Sequence, residues 1–411
     1  MSIEKIRDFN ENFDIALDKR FEVCYNILII RIRFAFADRM ETTMIEPTAS
    51  KLACEFIMNP TDERFTNEHI RNFQGCPTIA ITKKGRIFLA WYSGGTREPH
   101  IENFNLIIKS DDGGKTWSKP IAVIPSSRER LVHALDIQLF TAPDGRLFVF
   151  WVQNNTKPDL RNPDGSKINP GYDVDGVIFD DYVHAMWVSV CGDPDADELV
   201  FSEPRCADKG FLRCKPLVMS NGEWLCFNYD QMSDRYGYSI SSDNGATFVH
   251  HYGAKKIPSP FDEAMAYEKK NGDIRMFART ANTGDLAEST SHDHGLTWDA
   301  AKKSGIVSPS SRFFVSRTPS GRVLLVRNDH PIDRRNMTLC LSDDDGETWK
   351  TRCIDSRGGL SYPDVDFFGG RIFLTYDRER TGAKEILFTS FTEEDIPDES
   401  RPVELSVVSK P

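Results

Sequence analysis

A glutamate, several arginines and a tyrosine stand beside strongly apolar runs in the second half of the chain, where they could act on a substrate. Arg279 directly follows the apolar triplet Met-Phe-Ala and lies 16 residues after Glu263, and Tyr362 lies 28 residues after Arg334. The planar guanidinium of arginine pairs bidentately with a carboxylate and stays charged at any working pH. A tyrosine can act as a nucleophile when a neighbouring carboxylate takes its proton. These residue types are suited to binding an acidic substrate and attacking it.

The elements that must position these side chains are indicated by a motif that occurs four times. Each copy reads Ser-x-Asp-x-Gly-x-Thr-aromatic, and the copies span residues 110–117, 241–248, 291–298 and 342–349. The aspartate can accept hydrogen bonds from turn amides, and the glycine tolerates a positive φ. The aromatic residue is expected to pack beneath the turn. This is the signature of the Asp-box, a β-hairpin turn of β-propellers, and nothing in it is catalytic.

A second repeat predicts the number of blades. Six segments combine a tight turn that ends in glycine, a polar residue and an apolar strand; their glycines are at positions 85, 145, 222, 272, 321 and 370. Similarity at such a period is typical of stacked four-stranded units, which predicts a propeller with six blades. Blades 1, 3, 4 and 5 carry the Asp-boxes. Residues 51–60 read as a strand, expected to close the ring by joining the other terminal blade.

Composition limits the domain organisation and the partners. A propeller over residues 49–411 uses most of the 411-residue chain, which leaves residues 1–48 as an extension of unknown role. Its apolar stretch, residues 21–37, is interrupted by two arginines and is too short to span a bilayer. A net charge of −11 argues against nucleic acid or an anionic membrane as partner.

The cysteines and the start of the chain bear on the compartment. Nine cysteines lack CxxC pairs and metal-ligand spacing, which favours buried free thiols in a reducing compartment. No secretory signal opens the chain, so we expect a cytoplasmic protein that needs no cofactor and no metal. An extracellular location stays open if the true start lies at a later methionine.

With these motifs the chain resembles the sialidase superfamily over roughly residues 50–395, which implies an all-β, six-bladed β-propeller with Asp-box repeats. In that family a glutamate precedes the inner strand of one blade and an arginine closes it, positions that Glu263 and Arg279 match. The resemblance also implies a substrate-binding arginine at Arg334, with its neighbour Arg335 as the alternative. Tyr362 stands where the family has its nucleophile, and Glu263 would take its proton.

Two positions depart from the family pattern. The family's first arginine falls in the segment 72–79, where this chain has Gly75 or Gln74. Arg71 just before it, Arg97 or the neutral donor Gln74 is expected to serve in its place. The family's acid/base aspartate comes from the loop 93–105, which contains no aspartate here. The ionisable residues available in that loop for acid/base work are Glu98, His100 and Glu102. A substrate other than common sialosides is therefore expected.

The inner strands of a propeller run to a central funnel, and further residues are expected to line its rim. Arg97, His133 and Asp136 open onto it as substrate-binding candidates, although Asp136 is equally suited to capping a turn. The long loop 157–176, rich in Pro, Gly and Asp, is typical of a lid or recognition loop. Its carboxylates have no calcium-loop spacing, and no metal is assigned to them.

The function that these features predict is a retaining exo-glycosidase. Its partner would be a glycan with a terminal acidic sugar, either a sialic acid or a related 2-keto-3-deoxy acid. One alternative is another glycan-active propeller enzyme, of the rhamnosidase or uronate lyase type, in which His100 or His133 does the acid/base work. The other alternative is a glycan-binding propeller without catalysis. Fold alone does not decide between them.

Overall fold

The computed structural model describes residues 53–166, 177–259, 261–281 and 283–411. Within these ranges the chain forms six blades, each built on consecutive antiparallel strands. The predicted all-β, six-bladed propeller is therefore confirmed. The expected N-terminal extension and the second half of the expected lid loop, residues 167–176, lie outside the described residues.

The first three blades are built from strands β1 to β15. Blade 1 contains β1 (Ile57–Met58), β2 (Gln74–Ile81), β3 (Ile87–Gly94), β4 (Asn103–Ser110) and β5 (Ala122–Pro125). Blade 2 contains β6 (Val132–Thr141), β7 (Leu147–Pro158), β8 (Val177–Cys191) and β9 (Arg205–Lys209). Blade 3 contains β10 (Phe211–Leu212), β11 (Leu217–Val218), β12 (Trp224–Cys226), β13 (Asn228–Tyr229), β14 (Arg235–Ser241) and β15 (Val249–Lys255). Its two inner strands are each broken into two short pieces, β10 with β11 and β12 with β13.

The last three blades are regular four-stranded sheets. Blade 4 contains β16 (Ala264–Glu268), β17 (Ile274–Ala278), β18 (Asp285–Ser291) and β19 (Lys302–Val307). Blade 5 contains β20 (Phe314–Arg317), β21 (Val323–Asn328), β22 (Arg335–Ser342) and β23 (Lys350–Gly358). Blade 6 contains β24 (Leu360–Phe368), β25 (Arg371–Arg378), β26 (Glu385–Phe391) and β27 (Ser406–Ser409). A short helix α1 (Glu63–Thr66) and two 3-10 turns (Glu68–Ile70 and Glu393–Asp395) complete the described elements.

The four Asp-boxes adopt one hydrogen-bonding pattern, in the turn between the third and fourth strands of blades 1, 3, 4 and 5. In the last box the Asp344 carboxylate accepts bonds from the Thr348 amide (2.8 Å) and from the hydroxyls of Thr348 (2.5 Å) and Ser342 (2.7 Å). Gly346 has a φ of +85°, which a glycine adopts without steric cost. The predicted turn chemistry is thus confirmed, on the outer part of each blade.

The expectation that residues 51–60 close the ring by joining the opposite terminal blade is wrong. Within the described part of this segment, residues 53–60, the strand is Ile57–Met58, and it pairs with β5 of its own blade. Blade 6 instead bonds blade 1 through side chains: the Asp364 carboxylate accepts from the Ile79 amide (2.9 Å) and the Asp366 carboxylate from the Ile81 amide (2.8 Å). Carboxylate-to-backbone bonds satisfy inner-strand donors of blade 1 that have no strand neighbour in blade 6.

The described cysteines and helices bear on two further expectations. The eight described cysteines form no disulfide, and six of them are buried, as expected for free core thiols. Among the residues that the structure covers, no helix has the length and apolar character needed to cross a membrane.

The hydrogen bonds of the Asp-boxes are expected to raise the melting temperature of the protein without affecting the residues of the central funnel. Asp344→Ala removes the acceptor of the Thr348 amide, so we expect the Tm to fall by roughly 2–4 °C. Differential scanning calorimetry measures this shift. Asp197→Ala, at an exposed aspartate in the connection after β8, is the matched control and should leave the Tm unchanged. Equal Tm values for the two variants would contradict a stabilising role for the box.

Candidate active site

Three inner strands carry the same distortion where they begin, on the side of the propeller that we call the upper face. Strands β2, β6 and β24 each contain a register shift, and a residue with positive φ lies inside each shift: Cys76 (+55°), Asp136 (+34°) and Tyr362 (+56°). Such φ values are strained for residues with a side chain. A bulge re-aims a side chain, and all three residues belong to the set of buried groups around the axis.

The contact predicted between Tyr362 and Glu263 is present. The Tyr362 hydroxyl donates a short hydrogen bond to the Glu263 carboxylate. Glu263 stands directly before β16, and its carbonyl accepts from the Arg279 amide (2.9 Å), so the hairpin of blade 4 fixes both residues together. Both Glu263 and Tyr362 are almost completely buried. The Glu268 carboxylate, at the opposite end of β16, accepts from the Ser220 amide (2.6 Å).

Arginines hold the Glu263 carboxylate charged in spite of its burial. Burial alone raises the pKa of Glu263, but Arg279, Arg213 and the Tyr362 hydrogen bond together lower it to about 2. Arg279 Nη1 lies 2.7 Å from Glu263 Oε2, and Arg213 Nη1 lies 3.4 Å from Oε1. Burial and the Glu263 charge raise the pKa of Tyr362, against the opposing effect of Arg279 and Arg213. At neutral pH the pair is therefore a phenol bonded to a carboxylate.

Two predicted arginines approach the Tyr362 ring, and the third candidate does not. Arg279 Nη1 lies 3.3 Å from the Tyr362 hydroxyl, and the Arg334 guanidinium carbon lies 5.6 Å from the ring centroid. Burial, with Arg380 and Arg279 nearby, lowers the pKa of Arg334. Arg335 begins β22 and is exposed. Arg334 lies in the bend directly before β22, and its side chain lies beside the tyrosine.

The position of the missing first arginine is filled from another blade. A Cβ on Gly75 would lie 2.8 Å from Cγ, Cδ and Nε of Arg380, so the glycine leaves the space that this side chain occupies. Arg380 follows β25 of blade 6, and its guanidinium carbon lies 4.2 Å from the Tyr362 ring centroid. Its Nε donates to Asp377 (3.1 Å). Blade 6 thus supplies a further arginine beside Tyr362.

The residues considered as replacements for that arginine are used elsewhere. The Arg71 guanidinium donates to the Phe65 carbonyl (2.8 Å) beside helix α1. Gln74 donates to Ser409 (3.2 Å) in the last strand and accepts from the Trp91 indole (3.1 Å). The structure therefore uses Arg71 within the segment that precedes β2, and it uses Gln74 within blade 1 and between blades 1 and 6.

Of the candidate acids in the loop after β3, Glu98 lies at the site. Its Oε2 lies 2.7 Å from Arg380 Nη1, and its Oε1 lies 4.0 Å from the Cys76 sulfur. Burial raises the pKa of Glu98, while Arg380 opposes this effect. Glu102 and Arg97 are exposed. The His100 ring accepts from the Glu102 amide (3.2 Å), so the ring supports the turn of its own loop.

The histidine and aspartate of β6 have different surroundings. His133 is fully buried, 3.1 Å from the Tyr92 hydroxyl and 3.0 Å from the His100 carbonyl, and burial lowers its pKa to about 3. It is therefore a neutral packing residue beneath the loop. Asp136 lies at the site, with its Oδ2 2.8 Å from Arg213 Nη2.

Three arginines near Tyr362 were not predicted: Arg213, Arg312 and Arg380. Arg380 could have been found, because it follows the second strand of its blade as Arg279 does. Arg213 lies between the short strands β10 and β11, where no strand signal marks it. Arg312 precedes β20 and donates to three backbone carbonyls, those of Arg213 (2.6 Å), Pro77 (3.0 Å) and Tyr362 (3.2 Å). It therefore joins segments of blades 1, 3 and 6 at the axis.

Cys76, Glu98 and Asp136 bring possible ligand atoms within 4.8 Å of one another. Arg380 and Arg213 already pair with the two carboxylates. A cation there would have to compete with two guanidinium groups, so this donor set does not by itself define a metal site.

The position of Arg312 predicts a large effect on stability. Arg312→Met leaves three buried carbonyls without their donor, so we expect the free energy of unfolding to fall by roughly 3–5 kcal/mol. Urea denaturation followed by tryptophan fluorescence measures it. Arg335→Met, at an exposed arginine, is the control and should change the free energy by less than about 0.5 kcal/mol. A small effect at Arg312 would show that the axis does not depend on it.

Family comparisons agree with the motifs. Residues 195–369 match the family described as BNR repeat-like domain, and residues 108–119 match the BNR/Asp-box repeat. No curated protein sequence is significantly similar to the chain. With its repeats and its six blades, the chain is a β-propeller with BNR/Asp-box repeats, the fold that its resemblance to the sialidase superfamily implies.

Solved structures with the same fold include glycoside hydrolases. A mutant of the NanB sialidase from Streptococcus pneumoniae is 16% identical, with a TM-score of 0.61 over 84% of this chain and 71% of that chain. The intramolecular trans-sialidase from Ruminococcus gnavus, in complex with oseltamivir carboxylate, is 15% identical, with a TM-score of 0.61 over 84% and 98%. An α-L-arabinofuranosidase mutant from Fusarium graminearum is 12% identical, with a TM-score of 0.54 over 84% and 99%. At these identities the likeness shows the fold alone.

Proposed function

We propose that the protein is a retaining exo-glycosidase that removes a terminal acidic sugar, a sialic acid or a related 2-keto-3-deoxy acid, from a glycan. The observation that carries this proposal is the hydrogen-bonded pair of Tyr362 and Glu263, with Arg279, Arg334 and Arg380 beside the same tyrosine. Three guanidinium groups suit a substrate carboxylate, and a buried phenol bonded to a carboxylate suits nucleophilic attack.

The charges of the site explain why a tyrosine would be the nucleophile. A carboxylate nucleophile would be repelled by the carboxylate on the anomeric carbon of the substrate, whereas a phenol is neutral until it attacks. In the first step the Tyr362 oxygen forms a bond to the anomeric carbon, its proton passes to Glu263, and the bond to the leaving oxygen breaks. The arginines beside the ring stabilise the negative charge that develops on the phenol oxygen.

Glu98 is the acid/base in this proposal. It would donate a proton to the leaving oxygen, because burial raises its pKa and favours the protonated form. Once ionised, it would take a proton from the water that attacks the anomeric carbon in the second step. That step releases the sugar, and Tyr362 recovers its proton from Glu263, so the configuration is retained overall.

The alternative with a catalytic histidine has less support. His133 is buried and neutral, and the His100 ring accepts a hydrogen bond from its own loop. Neither contact favours a rhamnosidase or a uronate lyase. The binding-only alternative would not require the short bond between Tyr362 and Glu263.

The proposed role of Tyr362 as nucleophile is tested by removing its hydroxyl oxygen. Tyr362→Phe removes the attacking atom, so kcat on an aryl α-glycoside of an acidic sugar should fall by at least roughly a thousand-fold. Steady-state hydrolysis on a panel of aryl α-glycosides measures it, including sialic acid, a 2-keto-3-deoxy acid and rhamnose.

The matched control is Tyr238→Phe, at another buried tyrosine in the core between blades 3 and 4. It should leave kcat unchanged. Full activity of Tyr362→Phe would remove this tyrosine from the mechanism. Hydrolysis of rhamnosides alone would overturn the proposed substrate class.

The arginine supplied by blade 6 is tested by its effect on affinity. Arg380→Met removes one charge-assisted contact to the substrate carboxylate, a loss of about 1.5–3 kcal/mol. The KM for an acidic glycoside should therefore rise by about one to two powers of ten. Steady-state kinetics measure this change.

The glycine that accommodates Arg380 offers a second route to the same effect. Gly75→Ala places a Cβ against the Arg380 side chain and should raise KM in the same direction. Gly192→Ala is the control, because a Cβ there meets open space. An unchanged KM in both Arg380→Met and Gly75→Ala would exclude Arg380 from substrate binding.

A further inference from the structure

Arg380 contacts both the proposed nucleophile and the proposed acid. Its guanidinium lies over the Tyr362 ring, and its Nη1 pairs with Glu98 at 2.7 Å. Asp377 fixes its Nε at 3.1 Å. Its Nη2 is buried and has no hydrogen-bond partner among the residues that the structure describes. A guanidinium that is held by two carboxylates and has one nitrogen without a partner is suited to binding a further carboxylate.

A carboxylate bound at Arg380 would change the surroundings of Glu98. In the structure the positive charge of Arg380 favours the ionised form of Glu98. A substrate carboxylate on the same guanidinium would offset that charge and add a like charge near Glu98. Both effects favour the protonated form of Glu98. The protonated form is the one that the first step of glycoside cleavage requires.

We propose that Arg380 couples substrate binding to the protonation of Glu98: an acidic sugar bound at Arg380 causes Glu98 to take up the proton that it later donates. This inference rests on the proposed function. The carboxylate of the substrate would itself cause Glu98 to be protonated. Acidic sugars would therefore be selected in the chemical step as well as in binding.

Other charged groups also face Glu98. Asp136 is a second carboxylate nearby, and Arg213 and Arg334 are further cations. The Cys76 thiol lies 4.0 Å from Oε1, and burial raises the pKa of that thiol, which keeps it neutral. Among these groups, Arg380 is the one within 3 Å of the Glu98 carboxylate. Loss of Arg380 should therefore remove most of the coupling.

The test measures proton uptake on ligand binding. The probe is a 2,3-didehydro sialic acid, whose carboxylate stays ionised above about pH 5. Isothermal titration calorimetry in buffers of different ionisation enthalpy, repeated over a range of pH, gives the protons bound per ligand. We expect uptake that rises to a maximum of up to one proton and vanishes well above and below that pH. By linkage, the affinity of the wild-type protein should increase as the pH falls through this window.

Variants identify the group that takes the proton. Glu98→Gln should bind the probe with no uptake, and Arg380→Met should bind it about ten- to a hundred-fold more weakly with little uptake. Glu102→Gln, at an exposed glutamate of the same loop, is the matched control and should keep the wild-type uptake. Steady-state kinetics give a second readout: the alkaline limb of kcat should lie at higher pH than that of kcat/KM, and Arg380→Met should bring the two limbs together.

The outcomes separate the coupling from the proposed function. Binding of the probe without uptake by the wild-type protein would overturn the coupling and leave the proposed function standing. Unchanged uptake in Glu98→Gln would also overturn it, because the proton would then go elsewhere. No binding of any acidic sugar, together with no hydrolysis of acidic glycosides, would overturn the proposed function and the coupling with it.

Discussion

The buried negative charge of Glu263 is the constraint on which the upper face of this propeller depends. A carboxylate removed from water is costly unless ion pairs and hydrogen bonds compensate it. Here Arg279 comes from the same blade, Arg213 from blade 3 and the Tyr362 hydroxyl from blade 6. Because these partners belong to three blades, the charge can be accommodated only when the ring is closed.

The rigid axis makes this accommodation possible. Arg312 ties three backbone segments together, and Asp364 and Asp366 bond the first inner strand to the last. Arg312 therefore fixes the inner strands at their distorted beginnings, and the bond from the Ile81 amide to Asp366 fixes them towards the opposite end. A strained residue such as Tyr362 persists when its surroundings over-determine its conformation. The stiffness of the propeller thus supports the strain that aims the tyrosine at Glu263.

The exchange of an arginine between blades has consequences for chemistry. Gly75 leaves a space in blade 1, and Arg380 of blade 6 occupies it. Because Arg380 reaches the site from blade 6, it also pairs with Glu98. Moving the arginine from position 75 to position 380 therefore affects two groups at once: the proposed carboxylate-binding arginines and the proposed acid, Glu98.

The sequence by itself determined the architecture and much of the site. Its turns and boxes are local patterns, so they predicted six blades, and motif context placed Glu263, Arg279 and Tyr362 correctly beside one another. The prediction that a terminal strand closes the ring was wrong. Arg71 and Gln74 were predicted to replace the missing first arginine, but Arg380 occupies the space beside Gly75. Only the tertiary structure decided which side chain fills a gap left by a glycine, because that depends on packing between segments about 300 residues apart in sequence.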